Sequence, residues 1–220
     1  MRKFDQYCPV AHALSLVGER WSLLIVRELL HGPKRYTDLS QGLPGIGTNI
    51  LAARLKELEA CGIVERRTLP PPAASTVYEL TEYGAGLKEA LYALARWGAR
   101  TIGPPGPDDE LYPEWGVNAL PALFNAEAAR ALTETYVLTV DGDTFTARVV
   151  DGALEPSTGA AEDADVVVET NMETFFALAA GELAPRAAVK SGRACVQGSL
   201  EALERCFQVL SLAPRITAAA

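Results

Sequence analysis

Leu51, Leu55 and Leu58 recur at i, i+4 and i+7 and so share one helix face, while Asn49, Ala53 and Lys56 fall on the opposite, polar side. Gly62 stands where a left-handed residue would stop that helix, and Pro44-Gly45-Ile46-Gly47 reads as the turn before it. The pattern predicts three helices upstream, over residues 8–18, 19–30 and 37–43. Downstream, residues 63–69 and 76–80 read as two strands joined across Pro70-Pro71-Pro72. Thr81 can cap a further helix running to about Thr101, with an apolar stripe of Leu87, Leu91, Leu94 and Trp97. Helix, turn, helix and β-hairpin form the plan of a winged helix-turn-helix, with the Leu51 helix as the one that enters the major groove. An amphipathic helix alone usually means core packing, so the order of its neighbours carries the argument. The spare apolar face of the last helix predicts a dimer seam.

The pattern changes after Gly103-Pro104-Pro105-Gly106-Pro107, which cannot continue a helix. Residues 111–124 are apolar and irregular, and residues 125–132 read as a short helical patch. Residues 134–140 and 144–150 alternate as strands across Asp141-Gly142-Asp143, a hairpin turn. Residues 154–156 start a short edge strand, and residues 164–170 form another strand. A glycine-stopped helix over 171–181 and a capped terminal helix over 199–210 follow. This half reads as α+β, with helices packed over one mainly antiparallel sheet. The division is therefore a mainly α winged-helix domain over 1–102, a linker over 103–115 and an α+β domain over 116–220.

Charge sharpens that division. The net charge of −8 looks wrong for a nucleic-acid binder, but residues 1–103 carry 13 Lys/Arg against 10 Asp/Glu, whereas residues 104–220 carry 7 against 18. A mildly basic front and a strongly acidic back imply two domains with different partners. No run of about 18 apolar residues points to a membrane span, and the N-terminus lacks an apolar signal core. Cysteines at 8, 61, 195 and 206 show no paired spacing, which fits reduced thiols and a cytoplasmic protein. The sequence shows no phosphate-cradling glycine loop, nucleophile elbow or converging acid and base, so neither an enzyme nor a cofactor or metal site is expected.

Several blocks occur in order at family spacing: Cys8-Pro9-Val10, Gly18-Glu19-Arg20-Trp21-Ser22-Leu23-Leu24-Ile25, Gly32-Pro33-Lys34-Arg35-Tyr36, Leu43-Pro44-Gly45-Ile46, Leu55-Lys56-Glu57-Leu58-Glu59 and Tyr78-Glu79-Leu80-Thr81-Glu82-Tyr83-Gly84. On these the chain resembles the HxlR-type winged helix-turn-helix transcriptional regulators from residue 8 to about 100. The resemblance implies a prokaryotic homodimer on pseudo-palindromic double-stranded DNA. One departure is Gly47-Thr48, where that family usually has Ser-Pro; Thr48 is a substitute cap candidate.

Such a protein needs cations for phosphates and hydrogen-bonding ends for bases. Asn49 suits a bidentate contact to adenine, with Thr48, Ala53 and Lys56 beside it. Lys34 and Arg35 are placed for phosphates, and one of Arg66 and Arg67 faces DNA from the wing. Arg54 is either a DNA contact or an internal ion pair. Cys8 is either an ordinary cap-position thiol or, as in some members of that family, a redox sensor at a helix N-terminus.

The back half resembles the sterol-carrier-protein type 2 domain on Asp165-Val166-Val167-Val168-Glu169-Thr170, Phe175-Phe176-Ala177-Leu178-Ala179-Ala180-Gly181 and Gly192-Arg193-Ala194-Cys195-Val196-Gln197-Gly198-Ser199. That resemblance implies an apolar tunnel, with Trp115, Leu123, Phe124, Phe145, Met172, Phe175 and Phe176 as lining candidates. The expectation is a homodimeric regulator modulated by an apolar small molecule in its C-terminal domain. Two rivals stand beside it: a hydrophobic-metabolite carrier dimerised by its front half, and a regulator whose back half is only structural.

Overall fold

The computed structural model describes residues 4–72, 74–102, 106 and 113–212, the side chains of 113–115 and 118 excepted. It divides into two compact units, residues 1–91 and 92–220.

The first unit holds α1 (Pro9–Val17), α2 (Ser22–Leu29), α3 (Tyr36–Gln41), α4 (Thr48–Ala60), the antiparallel pair β1 (Val64–Thr68) and β2 (Thr76–Leu80), and the one-turn α5 (Glu82–Ala85). The continuing helix α6 (Lys88–Ala99) crosses the division. The core is formed by Ile25, Val26 and Leu29 of α2, Leu39 of α3, Leu51, Leu55 and Leu58 of α4, and Ile63 and Val64 at the wing. The predicted leucine face of α4 is therefore the buried one.

The end of α4 shows why its boundary is legible. Gly62 has φ +69°, the Ile63 N–H donates to the Leu58 carbonyl at 2.9 Å, and the Gly62 N–H donates to Glu59 at 3.0 Å. That pair of bonds is a Schellman close, which glycine permits at no steric cost.

Two helices differ from expectation. The helix predicted from residue 19 begins at Ser22, because Trp21 takes φ +82° and cannot extend it backward. The helix predicted from Thr81 to Thr101 breaks after one turn and resumes at Lys88. Gly84 is buried so closely on Ile63 that a Cβ there would sit on the Ile63 carbonyl oxygen. Docking of that turn on the wing, followed by the i→i−3 bond from Leu87 to Gly84, redirects the chain.

The second unit adds α7 (Pro113–Leu123), β3 (Glu134–Val140), β4 (Asp143–Val150), β5 (Ala153–Thr158), β6 (Val166–Thr170), α8 (Met172–Ala179), α9 (Pro185–Lys190), β7 (Ala194–Gly198) and α10 (Leu200–Val209). The sheet order is β5-β4-β3-β6-β7, antiparallel except for β3 against β6. Two-residue turns at Asp141-Gly142 and Asp151-Gly152, all four with positive φ, close the first two hairpins.

Tyr136, Leu138 and Val140 of β3 share a face with Phe145, Ala147 and Val149 of β4 and Val166 and Val168 of β6. This face is buried together with Val117 and Leu120 of α7 and Leu203, Cys206 and Phe207 of α10. The connection from β5 to β6 is fastened to the other face. There Thr146 donates to the Gly159 carbonyl and Arg148 makes a two-pronged pair with Asp163.

Residues 113–123 are helical, not irregular as expected. Pro113 opens the helix and Pro121 falls near its end, while Val117, Leu120 and Leu123 at i, i+3, i+6 bury one face. Conversely, residues 126–131 form consecutive turns instead of the expected helical patch, and Ala131 has φ +61°.

Candidate nucleic-acid interface

The candidate interface is built on α4 and the wing. Gly47 is the N-cap residue of α4 and supplies no side-chain cap, and Thr48 is the first helical residue instead of a substitute cap. The start of α4 is held from outside, where the Tyr36 hydroxyl of α3 donates to the Thr48 carbonyl at 2.7 Å. Thr48, Asn49, Ala53 and Lys56 are all exposed, Asn49, Ala53 and Lys56 on the side away from the leucines and Thr48 in the first turn.

Arg54 is only 18% exposed and pairs with Glu57 at 2.6 Å and Glu19 at 3.7 Å. The internal ion pair expected as one of its two roles is formed. On the wing, Arg67 pairs across the strands with Glu79 at 2.8 Å, whereas Arg66, facing the other side opposite Tyr78, is exposed. The alternation expected of these two arginines is therefore realised as one paired and one presented.

Lys34 is held more firmly than its sequence position suggests. Its backbone pairs with Tyr78 in both directions, adding a short third rung to the wing. Its ammonium donates at 2.7 Å to Glu28, a carboxylate only 2% exposed. Arg27 donates to the other Glu28 oxygen at 2.8 Å. Arg35 is exposed, and its backbone N–H donates to Asp38, closing the first turn of α3. Lys34 is thus a shared cation beside a buried anion, while Arg35, Lys56 and Arg66 present the freer charges.

The other predicted sites divide similarly. Leu87 and Leu91 pack against the first unit's core, whereas Leu94 and Trp97 stand 50% and 69% exposed. Sequence reasoning missed a second apolar surface on and before α1, where Tyr7, Val10 and Leu14 are exposed. Their spacing of three and four was the available signal. It also missed Ile50, 49% exposed on α4. Cys8 is the half-buried N-cap residue of α1, with Pro9 at the first helical position.

In the second unit, Leu123 and Phe145 are core residues, and Met172 and Phe175 pack on that core from its margin. Phe175 meets Phe207 edge-on at 6.0 Å between ring centres. Phe176 is half-buried, and the Trp115 side chain lies outside the described residues. Phe124 lines an open cleft of about 250 Å³ with Ala122, Asn125, Leu212, Arg96 and Ala99.

A polar chain lies at one end of this core. Buried Tyr136 donates to Glu134 at 2.7 Å, and Arg205 donates to the same carboxylate. Burial would raise the Glu134 carboxyl, but the hydrogen bonds from Arg205 and Tyr136 outweigh it and hold the group below its ordinary range. Burial pushes the neighbouring Cys206 thiol far above its ordinary value. Among the described residues, no three His, Cys, Asp or Glu side chains converge as metal ligands, and no helix is long and apolar enough to cross a membrane.

Two families match, one in each half of the chain. Residues 117–211 match the SCP-2 sterol transfer family, and residues 16–105 match the HxlR-like helix-turn-helix family. The HTH-type transcriptional regulator YodB of Bacillus subtilis is 40% identical over 98 residues, covering 44% of this chain and 88% of YodB. The HTH-type regulator YvaP of the same organism is 34% identical over 101 residues, covering 46% of this chain and 94% of YvaP. The HTH-type regulator Rv3095 of Mycobacterium tuberculosis is 34% identical over 142 residues, covering 64% of this chain and 89% of Rv3095. With an exposed polar helix face, a two-stranded wing and relatives covered over nearly their whole length, the chain belongs to the HxlR-like helix-turn-helix family.

Proposed function

We propose that the protein is a homodimeric, sequence-specific DNA-binding transcriptional regulator that places α4 in the major groove. The observation that carries this reading is the division of α4 into a fully buried leucine face and an exposed face bearing Asn49, Ala53 and Lys56, with Thr48 exposed in the first turn. Arg35 before that helix and Arg66 on the wing supply phosphate contacts, with Lys34 contributing the charge that Glu28 leaves it. Dimerisation uses the exposed end of the α6 stripe, Leu94 and Trp97. Exposed apolar side chains at this spacing on one helix favour burial against a second copy.

The test is a titration of wild-type protein, Asn49→Ala and Lys56→Ala against duplexes selected from a random pool. Asn49→Ala should relax base preference at one position per half-site with little loss of non-specific binding. Lys56→Ala should weaken binding to all sequences and reduce the salt slope by about one per protomer. Equal loss on all sequences for Asn49→Ala would place Asn49 on the phosphate backbone and remove it as a base-reading residue.

In the same proposal, the sterol-carrier-like unit binds an apolar small molecule that alters the dimer's fit to DNA. The open cleft at Phe124 supports this, whereas Met172 and Phe175 pack on the core and do not line it. The packing of Phe145 against Gly116, where a Cβ would meet the ring, favours the rival reading of a purely structural unit. Melting shifts against fatty acids, sterols and aromatic metabolites separate the two, because a bound ligand stabilises by mass action and an absent one does not.

A further inference from the structure

Among the described residues, the exposed large apolar side chains fall before residue 25 or after residue 82, with one exception. The exception is Ile50, in the first turn of α4. A single exposed apolar side chain is ordinary on a protein surface; the position of this one is not. A β-branched residue on an exposed helix face gains nothing from core packing and has lower helix propensity than alanine. The Ile50 side chain leans back over the helix N-terminus: a Cβ built on Gly47 would lie 3.9 Å from its Cδ1. That separation is ordinary van der Waals contact, so the Ile50 side chain lies close over residue 47 at that end of the helix. The N-terminal turn of a recognition helix is the part that meets base edges.

The major-groove edges of the four base pairs offer one apolar group, the 5-methyl of thymine. We propose that Ile50 is a specificity-determining residue that packs on the 5-methyl group of one thymine in each half-site, beside the base contacted by Asn49. This rests on the reading of α4 as the groove helix. It adds a methyl-reading contact to a face whose polar reach is otherwise one amide and one ammonium.

The test is a missing-methyl scan on a duplex selected by wild-type protein from a random pool. Each thymine is replaced singly by deoxyuridine, and binding is followed by fluorescence anisotropy at fixed salt. Wild type should lose about fourfold in affinity at one thymine per half-site, the factor that burial of one methyl-sized group supplies. Ile50→Ala should bind the thymine and deoxyuridine duplexes equally at that position, and Ile50→Val should fall between. Because residue 50 is exposed, Ile50→Ala should melt with wild type. Insensitivity of wild type at every thymine, or sensitivity that persists in Ile50→Ala, overturns the proposal while leaving α4 as the groove helix. Failure of wild type to enrich any sequence instead removes the groove reading, and the Ile50 contact with it.

Discussion

Glu28 is a buried carboxylate at the point where α2, the wing and the turn after α3 meet. Its two oxygens take Lys34 at 2.7 Å and Arg27 at 2.8 Å, and its side chain is 2% exposed. Gly42 closes the pocket: a Cβ there would lie 2.6 Å from a Glu28 oxygen. Removing one partner of a buried ion pair costs about 3–5 kcal/mol. The lower end applies here, because Arg27 and Lys34 are 19% and 23% exposed and can recover water. Glu28→Ala should therefore destabilise the first unit by about 3 kcal/mol, or roughly a hundredfold in amide protection at 1.36 kcal/mol per factor of ten.

Gly42→Ala alone should cost about 1–2 kcal/mol by forcing the carboxylate off its cations. In the Glu28→Ala background that obstacle is gone, and the nearest remaining atom, the Asp38 carbonyl oxygen, is 3.4 Å away. The double variant should thus be no less stable than Glu28→Ala by more than a few tenths of a kcal/mol, a coupling that a double-mutant cycle resolves. Hydrogen exchange of the slowest amides in α2 and α4 reads the effect within this unit. Protection within threefold of wild type for Glu28→Ala, or additive losses in the double variant, would refute the reasoning.

Further outcomes follow from single contacts. Gly84→Ala should destabilise by about 3 kcal/mol or more, because its Cβ meets a backbone oxygen of the wing. Gly98→Ala, in α6 with open space around it, should stabilise by about 0.8–1 kcal/mol; thermal melts giving both the same sign would contradict this. Glu134 has a depressed folded pKa, so its contribution is complete above the unfolded value near 4.5 and is lost as pH falls through the folded one. Melting temperature measured from pH 7 to 3 should fall less steeply for Glu134→Gln than for wild type. In a thiol titration of native protein, exposed Cys195 should react first and fully buried Cys206 only after unfolding; early labelling of Cys206 would show that the packing of α10 is wrong.

Local chemistry wrote much of this fold into the sequence. The α4 boundary follows from three leucines and a glycine that closes a Schellman turn, and the first hairpin of the second unit follows from alternation around Asp141-Gly142. What stayed hidden depends on contacts between distant residues. Nothing local marks Trp21 for positive φ. The break between α5 and α6 comes from Gly84 docking on Ile63, twenty-one residues away in sequence. Pro113 and Pro121 masked α7, whose stability comes from burying Val117 and Leu120 on the sheet.

The interface was legible as a set of polar positions but not as a division of labour. Arg67 is paired because the strand register places Glu79 within reach, and Lys34 because the fold sets Glu28 beneath it. Ile50 went unnoticed because one apolar residue off the leucine face has no periodicity to betray it.

The proposed function depends on α4 and the wing reading DNA sequence. The most direct test is the ratio of affinities for the protein's own promoter region and for a scrambled duplex of the same length, measured at one near-physiological salt concentration. The account predicts a preference of about a thousandfold or more for the promoter duplex, with protection of two half-sites about one helical turn apart. Equal affinity for the two duplexes would contradict it.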